Sequence, residues 1–401
     1  MDLAALFAAV EDAPPVAAAD VVGDHLKELL GASAVSLLVA DLSGKALVRL
    51  THDGHRGDAT RRQEDESAER VPLRDSPQGR ALKSQEVEVE ADADGAAVFA
   101  PVTNRGEAIG VLELRLGSVP EEDTLADLVR VAHALAYVVV SNRRFTDLFE
   151  WGQRSAPLSL AAEIQRRLLP GSYTCEAGPV TVAGWLQPVE EIAGDTFDFS
   201  LERGTLHLSI TDAMGHEVDA ALAATTVVGA LRNARRGGDD LTEQARRASS
   251  ALSECIGGGV FATAHLVRVD LGTGTAAIVN AGHPLPLRLR SGEVSEVRLE
   301  TDPPLGAVPG HRYRVQKLPL EPEDRVFFLT DGVLERNAAA LDVGSILAAT
   351  AGDHPRDAVQ ELMHALLEAT GGDLQDDATV LCVEWHGDGA RKRATSAGAD
   401  R

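Results

Sequence analysis

The stretch SITDAMGHEVDAAL, residues 209–222, begins like a strand and ends like a helix. Ile210 and Thr211 close a β-like run, and Asp212 follows at once. After Gly215 and His216, the residues Val218, Ala221, Ala224, Val228 and Leu231 recur every three or four positions, the period of one helix face. A junction built only for packing would not carry a carboxylate there, because burying an unpaired charge is costly. Three other stretches repeat the arrangement: EIAGDTFDFS (191–200, with Asp195 and Asp198), RVFFLTDGVLE (325–335, with Asp331) and LQDDATVLCVEW (374–385, with Asp376 and Asp377 ahead of the strand).

An aspartate beside a glycine is usually a turn residue, so each stretch alone says little. Together they say more. Val326 to Leu329 run without a polar break, the mark of a strand buried on both faces, and Asp331 emerges at its end. Carboxylates gathered at such ends would repel one another and lose hydration, and a cation is the simplest compensation. Oxygen donors without paired cysteines or histidines favour a hard ion such as Mg²⁺ or Mn²⁺ over zinc. Two such ions can prime a water and neutralise a phosphoryl oxygen. Phosphate monoester hydrolysis needs accelerations of up to ~10²¹, whereas side-chain acid–base catalysis supplies only about 10²–10⁴.

The totals agree with an acidic, globular, two-domain chain. Its 401 residues exceed what one core usually supports. With 44% hydrophobic and 25% charged residues it has the composition of a folded protein. A formal net charge of −24 makes nucleic acid and anionic membranes poor partners. Only Cys175, Cys255 and Cys382 occur, unpaired in spacing, which suits a reducing cytoplasmic setting. The N-terminus lacks a signal-peptide pattern, and the apolar run VAHALAYVVV (131–140) reads as too short to span a bilayer.

Residues 20–117 alternate hairpins with turn signals. ASAVSLLVA, DLSG and KALVRL form one, and AAVFAPV, NRGE and AIGVLELRL another, while Ser76-Pro77 opens a short helix between them. Residues 52–70 read as a polar surface loop. From Pro120 a helix carries Leu125, Leu128, Ala132, Leu135 and Val139 on one seam, which serves either its own domain or a homodimer through residues 121–150. A linker and helix follow over 141–170. Hairpins interrupted by two helices then occupy 171–386, an α+β order with antiparallel sheets, and 387–401 read as a disordered tail.

The stretches AAEIQRRLLP, LQPVEEIAGDTFDFS, SITDAMGHEVDAAL, VFATAHLVRVD, NAGHPLP, PPLGAVPG, DRVFFLTDGVLE and DDATVLCVEW stand in the order and at the spacing of the PPM-type metal-dependent protein phosphatases, SpoIIE/RsbU-like branch, which residues 156–386 resemble. The resemblance implies an αββα sandwich with two Mn²⁺ or Mg²⁺ ions at one end. Asp195 and Asp212 would hold metal, Asp212 as the bridge. The Ala213 carbonyl, Asp331 and Asp376 would complete the set, and Asp198 and Asp377 would orient ligands or metal-bound water. His216 would donate a proton to the leaving serine or threonine oxygen, or only bond locally at the helix start. His283 would shape a turn or line the cleft. The implied reaction is serine/threonine phosphoprotein hydrolysis, with a phosphorylated STAS-domain anti-sigma-factor antagonist as substrate.

Three departures touch this pattern. Ala193-Gly194 replaces a glycine pair, Leu186-Gln187-Pro188-Val189 replaces Tyr-Arg-Pro-Ala, and Glu217 follows His216 where glycine is usual. None removes a metal carboxylate. SPQGRAL and VFAPVTNRGEAIGVLEL resemble a GAF sensor, which places a GAF-like α/β domain over residues 1–140, responding to a small molecule or protein. It contains no cysteine for a thioether-linked chromophore; His25, His52, His55 and His133 leave haem as one option and scattered surface histidines as the other. The rival functions are a catalytically inactive phosphatase-like protein that sequesters a partner, and a nucleotidyl cyclase. The latter is disfavoured by the lack of a glycine-rich phosphate loop.

Overall fold

In the computed structural model the described residues are 2–41, 44–50, 69–153, 158–189, 194–215, 217–255, 259–334, 341–372, 374–387 and 399. Most of the expected polar loop at 52–70 and of the expected tail at 387–401 lies outside them. The chain divides into two compact units with the break between Pro157 and Leu158. The helix after the break belongs to the second unit.

The first unit contains α1 (Leu3–Asp12), α2 (Ala18–Leu30), β1 (Ala34–Ala40), β2 (Ala46–Leu50), β3 (Glu69–Pro72), α3 (Pro77–Ser84), β4 (Glu88–Asp92), β5 (Gly95–Asn104), β6 (Glu107–Leu116), α4 (Glu122–Asn142) and α5 (Leu148–Gly152). Its strands form one antiparallel sheet in the order β3-β2-β1-β6-β5-β4. Alternation along each strand sorts the side chains. Leu37, Val39, Val98, Val102, Leu112 and Leu114 face α1, α2 and α4, whereas Leu38, Phe99 and Val111 face Ala81 and Leu82 of α3. Ser76 caps α3 by accepting from the Gly79 N–H at 3.0 Å, with Pro77 in the first turn.

The α4 seam resolves the choice left open by its spacing. Leu128, Ala132, Leu135 and Val139 are buried in the unit's own core, with Leu125 packed at its edge. The seam is therefore spent within the unit. The run 131–140 lies within a longer helix, Glu122–Asn142, that by length and composition alone could cross a bilayer. What makes it a core helix is the burial of that face.

The second unit contains α6 (Leu160–Leu168), β7 (Thr174–Glu176), β8 (Val180–Gln187), β9 (Asp195–Leu201), β10 (Thr205–Ala213), α7 (Glu217–Arg236), α8 (Leu241–Cys255), β11 (Ala262–Asp270), β12 (Thr275–Ala281), β13 (Leu287–Arg290), β14 (Glu293–Glu296), β15 (Gln316–Pro319), β16 (Asp324–Leu329), α9 (Val343–Ala349), α10 (Pro355–Ala369) and β17 (Ala378–Trp385). Two antiparallel sheets, β15-β12-β11-β10-β9 and β14-β13-β16-β17-β8-β7, face each other. Leu206, Leu208, Ile210, Val267 and Ile278 of the first meet Val182, Val326, Phe328, Leu381 and Val383 of the second.

The outer faces are covered by helices. Leu266 and Val279 pack under Val227, Leu231 and Leu252 of α7 and α8, while Phe327, Leu329 and Val380 pack under Leu347, Leu362 and Leu366 of α9 and α10. Helix, sheet, sheet, helix is the expected four-layer order, and RVFFL is buried on both faces as its unbroken apolar run requires.

Candidate metal centre

Strand alternation carries Asp212 to the mouth of the sandwich. Leu206, Leu208 and Ile210 point into the core between the sheets, and Asp212, two residues on, continues the same face. Asp212 lies directly opposite Asp195 of β9 on one side and Thr263 of β11 on the other. Such cross-strand neighbours have Cβ atoms about 4.5–5.5 Å apart, and like charges there are destabilising. From the second sheet, Asp331 begins a 3-10 turn just past β16, and Asp376 and Asp377 immediately precede β17. These strands pair through Leu329 and Val380, so the three carboxylates reach one end of the unit.

Two glycines let the backbones close. A Cβ on Gly332 would stand 2.0 Å from the Asp377 carbonyl oxygen, so only glycine permits the contact that sets Asp331 beside Asp376. A Cβ on Gly194 would stand 2.4 Å from the Ala213 carbonyl oxygen, so glycine is needed for the backbone to pass that close to it. Gly215, with φ of 132°, turns the chain toward α7.

The electrostatics record the crowding. Asp195 is 3% exposed, and its carboxyl is pushed well above the usual range by burial, then by Asp212 and Asp377, against the hydroxyls of Thr379 and Thr330. Both hydroxyls donate to Asp195 Oδ2, at 2.6 and 2.7 Å. Burial also raises Asp212 to about 7, with Asp331, Asp376 and Asp377 adding to it. Asp376 is raised by burial and by Asp331. Asp377 is raised to about 7 by burial, although the Val189 N–H at 2.7 Å and Gln165 Nε2 at 2.5 Å donate to it. Negative charge is thus unfavourable at four adjacent carboxyls.

The donor chemistry fits a hard cation: carboxylates from both sheets plus the Ala213 carbonyl, all oxygen. As the side chains stand, no three acidic, histidine or cysteine groups among the described residues converge tightly enough to grip an ion. Asp195, Asp212, Asp331, Asp376 and Asp377 are therefore brought near one another without being closed around a point.

Asp198 does not join them. Three positions from Asp195, it leaves the opposite face of β9, where Arg232 of α7 donates to it at 2.9 and 3.2 Å and Arg235 at 3.0 Å. Removing it strands two largely buried guanidinium groups. Asp198→Ala is expected to lower stability by about 2–3 kcal/mol in urea unfolding and to leave Mn²⁺ affinity unchanged; a tenfold weaker affinity would restore it to the centre. His216 lies outside the described residues.

The sequence reading missed Gln165, Thr330 and Thr379. Gln165, 1% exposed on α6, donates to the Asp195 carbonyl at 2.9 Å as well as to Asp377. The only sequence signal for the threonines is their place beside a strand-end aspartate, in LTDG and DDAT.

Residues 202–386 match the family model of stage II sporulation protein E (SpoIIE). The matched stretch contains Asp212, Asp331, Asp376 and Asp377, and begins after Asp195. Phosphoserine phosphatase RsbP of Bacillus subtilis (strain 168) is 22% identical over 215 residues, 52% of this chain and 52% of RsbP. The chain thus spans about half the length of that curated relative.

Similar solved structures include the RsbU and RsbW domains of a Mycobacterium tuberculosis protein (25% identity, 55% of this chain and 63% of that one, TM-score 0.49). Others are the PP2C phosphatase domain with a regulatory fragment of Bacillus subtilis SpoIIE (18%, 52% and 65%, TM-score 0.45) and the SiaA-PP2C domain of Pseudomonas aeruginosa (20%, 56% and 93%, TM-score 0.46). The chain is thus similar, over about half its length, to a curated protein named as a phosphatase.

Proposed function

We propose that the second unit is a divalent-metal-dependent phosphoprotein phosphatase acting on phosphoserine or phosphothreonine. The observation that carries this reading is the pairing of Asp195 with Asp212 across the β9–β10 ladder, with Asp331 and Asp376 pressing on the charge of Asp212. Two carboxylates directly opposite each other in a sheet repel, and a cation would relieve that repulsion. The SpoIIE match supports the assignment.

Asp195, Asp212, the Ala213 carbonyl, Asp331 and Asp376 would hold two Mn²⁺ or Mg²⁺ ions. When bound, they would supply a nucleophilic water and neutralise the phosphoryl oxygens. The chain's own groups do the rest. Thr330 and Thr379 fix the Asp195 carboxylate through Oδ2, Asp377 ties β17 to the Val189 amide and to α6, and His216 would deliver a proton to the departing alkoxide.

The substrate proposed is a phosphorylated STAS-domain anti-sigma-factor antagonist, as the sequence resemblance implies; the relative RsbP is named a phosphoserine phosphatase. The first unit is proposed as a GAF-like sensor of a small molecule or protein, a reading supported by its six-stranded antiparallel sheet with helices on both faces. Release of phosphate from a phosphorylated STAS-domain protein by the full chain, present with Mn²⁺ and absent with a chelator, tests the activity. Binding of the phosphoprotein without release would favour the sequestering rival.

Gln165 gives regulation a handle, because any shift of α6 would pull on the Asp195 carbonyl and the Asp377 carboxylate together. Gln165→Ala is expected to lower turnover by roughly 10–100-fold while leaving the fold intact by circular dichroism; unchanged turnover would remove α6 from the account.

A further inference from the structure

One rung below Asp195, Asp212 and Thr263, the same face of the first sheet carries Phe197, Ile210, His265 and Asn280. The last two are an odd choice for the middle of an apolar sandwich. His265 is 0% exposed, and neither of its ring nitrogens has a hydrogen-bond partner among the described residues. Its ring packs edge-on against His283 at 4.9 Å between centroids and against Phe328 of β16 at 5.4 Å.

His283, 3% exposed, sits where three of these features meet. Its Nδ1 is 2.7 Å from the hydroxyl of Thr263, the residue directly across the ladder from Asp212. Its backbone N–H donates to Asn280 Oδ1 at 2.8 Å. Its buried Nε2 makes no hydrogen bond among the described residues, although the Leu329 backbone, two residues before Asp331, is near enough to favour the charged ring. Burial holds the imidazole neutral, down at about 3, so it serves as a fixed hydrogen-bonding spacer and not as an acid or base.

We infer that His283 is a positioning residue for the carboxylate cluster. It spans the gap between the sheets, bonded to Thr263 beside Asp212 and set against Leu329 before Asp331, and so fixes how far apart those two carboxylates stand. On the β9 side the equivalent span is made by Thr330 and Thr379 to Asp195. The cluster is thus braced at both ends of the Asp195–Asp212–Thr263 rung. The inference rests on reading the cluster as a metal centre.

Calorimetric titration of the full chain with Mn²⁺, alongside thermal unfolding without metal, tests it. His283→Ala is expected to weaken Mn²⁺ binding at least tenfold. His283→Asn, whose amide can take the place of Nδ1 toward Thr263, should recover most of that loss. Thr263→Val, nearly the same shape without the hydroxyl, should weaken binding several-fold, and it decides the matter alone if His283→Ala does not fold. Variants that melt earlier yet bind Mn²⁺ within twofold of the wild type would give His283 a purely structural role and overturn the inference. A wild-type chain that binds no Mn²⁺ overturns the metal-centre reading, and this inference with it.

Discussion

Asp212→Asn should all but abolish phosphate release and at the same time make the metal-free chain more stable. The loss of activity should exceed the roughly 10–100-fold typical of groups one step removed from a metal, because Asp212 is the carboxylate on which charges from both sheets converge. The gain in stability follows from the same crowding. A carboxyl raised from its ordinary 3.8 to about 7 is disfavoured in its charged form, with an upper bound of about 4 kcal/mol at about 1.4 kcal/mol per pH unit. Partial exposure and the sharing of charge with Asp331, Asp376 and Asp377 reduce the expected gain to about 2 kcal/mol. Opposite signs for activity and stability mark a site kept for chemistry at the cost of the fold. A variant that is inactive because it is less stable would contradict this account.

The metal-free chain should lose stability as pH rises, and a divalent cation should restore it. In the folded metal-free chain, Asp195, Asp212, Asp376 and Asp377 hold protons that the unfolded chain has already released. The folded state binds more protons between about pH 4 and 7, so stability falls as pH rises through that window and the full penalty is present above it. A divalent cation reverses the penalty by replacing those protons. Mn²⁺ at about 100 times its dissociation constant should stabilise by about 2.7 kcal/mol, which for a domain of this size is a rise of roughly 5–10 °C in Tm. That rise should be large at pH 7.5 and small at pH 5.5, where protons compete for the same oxygens. An equal rise at both values, measured by scanning calorimetry, would mean that Mn²⁺ binds somewhere other than these carboxyls.

Much of the fold could be read along the chain because it depends on local periodicity. The unbroken VFFL run meant a doubly buried strand, the seam from Leu125 to Val139 meant a packed helix, and Ser76-Pro77 meant a helix start. The four strand-end acidic stretches were visible for the same reason. What could not be read is whatever spans distance: Gln165 meets Asp377 across 212 positions, and Thr379 meets Asp195 across 184. The departure of Asp198 was legible in principle, since three positions along a strand always change face. Neither possibility raised for His283, a simple turn or a cleft lining, describes a ring that is buried and bonded between the sheets, because the partner Thr263 comes from another strand.

On this reading the carboxylates at the mouth of the sandwich close around divalent cations. Anomalous scattering from crystals grown with Mn²⁺ would locate them. Two peaks within coordinating distance of Asp212, one or both shared with Asp195, Asp331, Asp376 or the Ala213 carbonyl, are the expected result. Peaks elsewhere, or none in crystals of a chain that still releases phosphate, would contradict it.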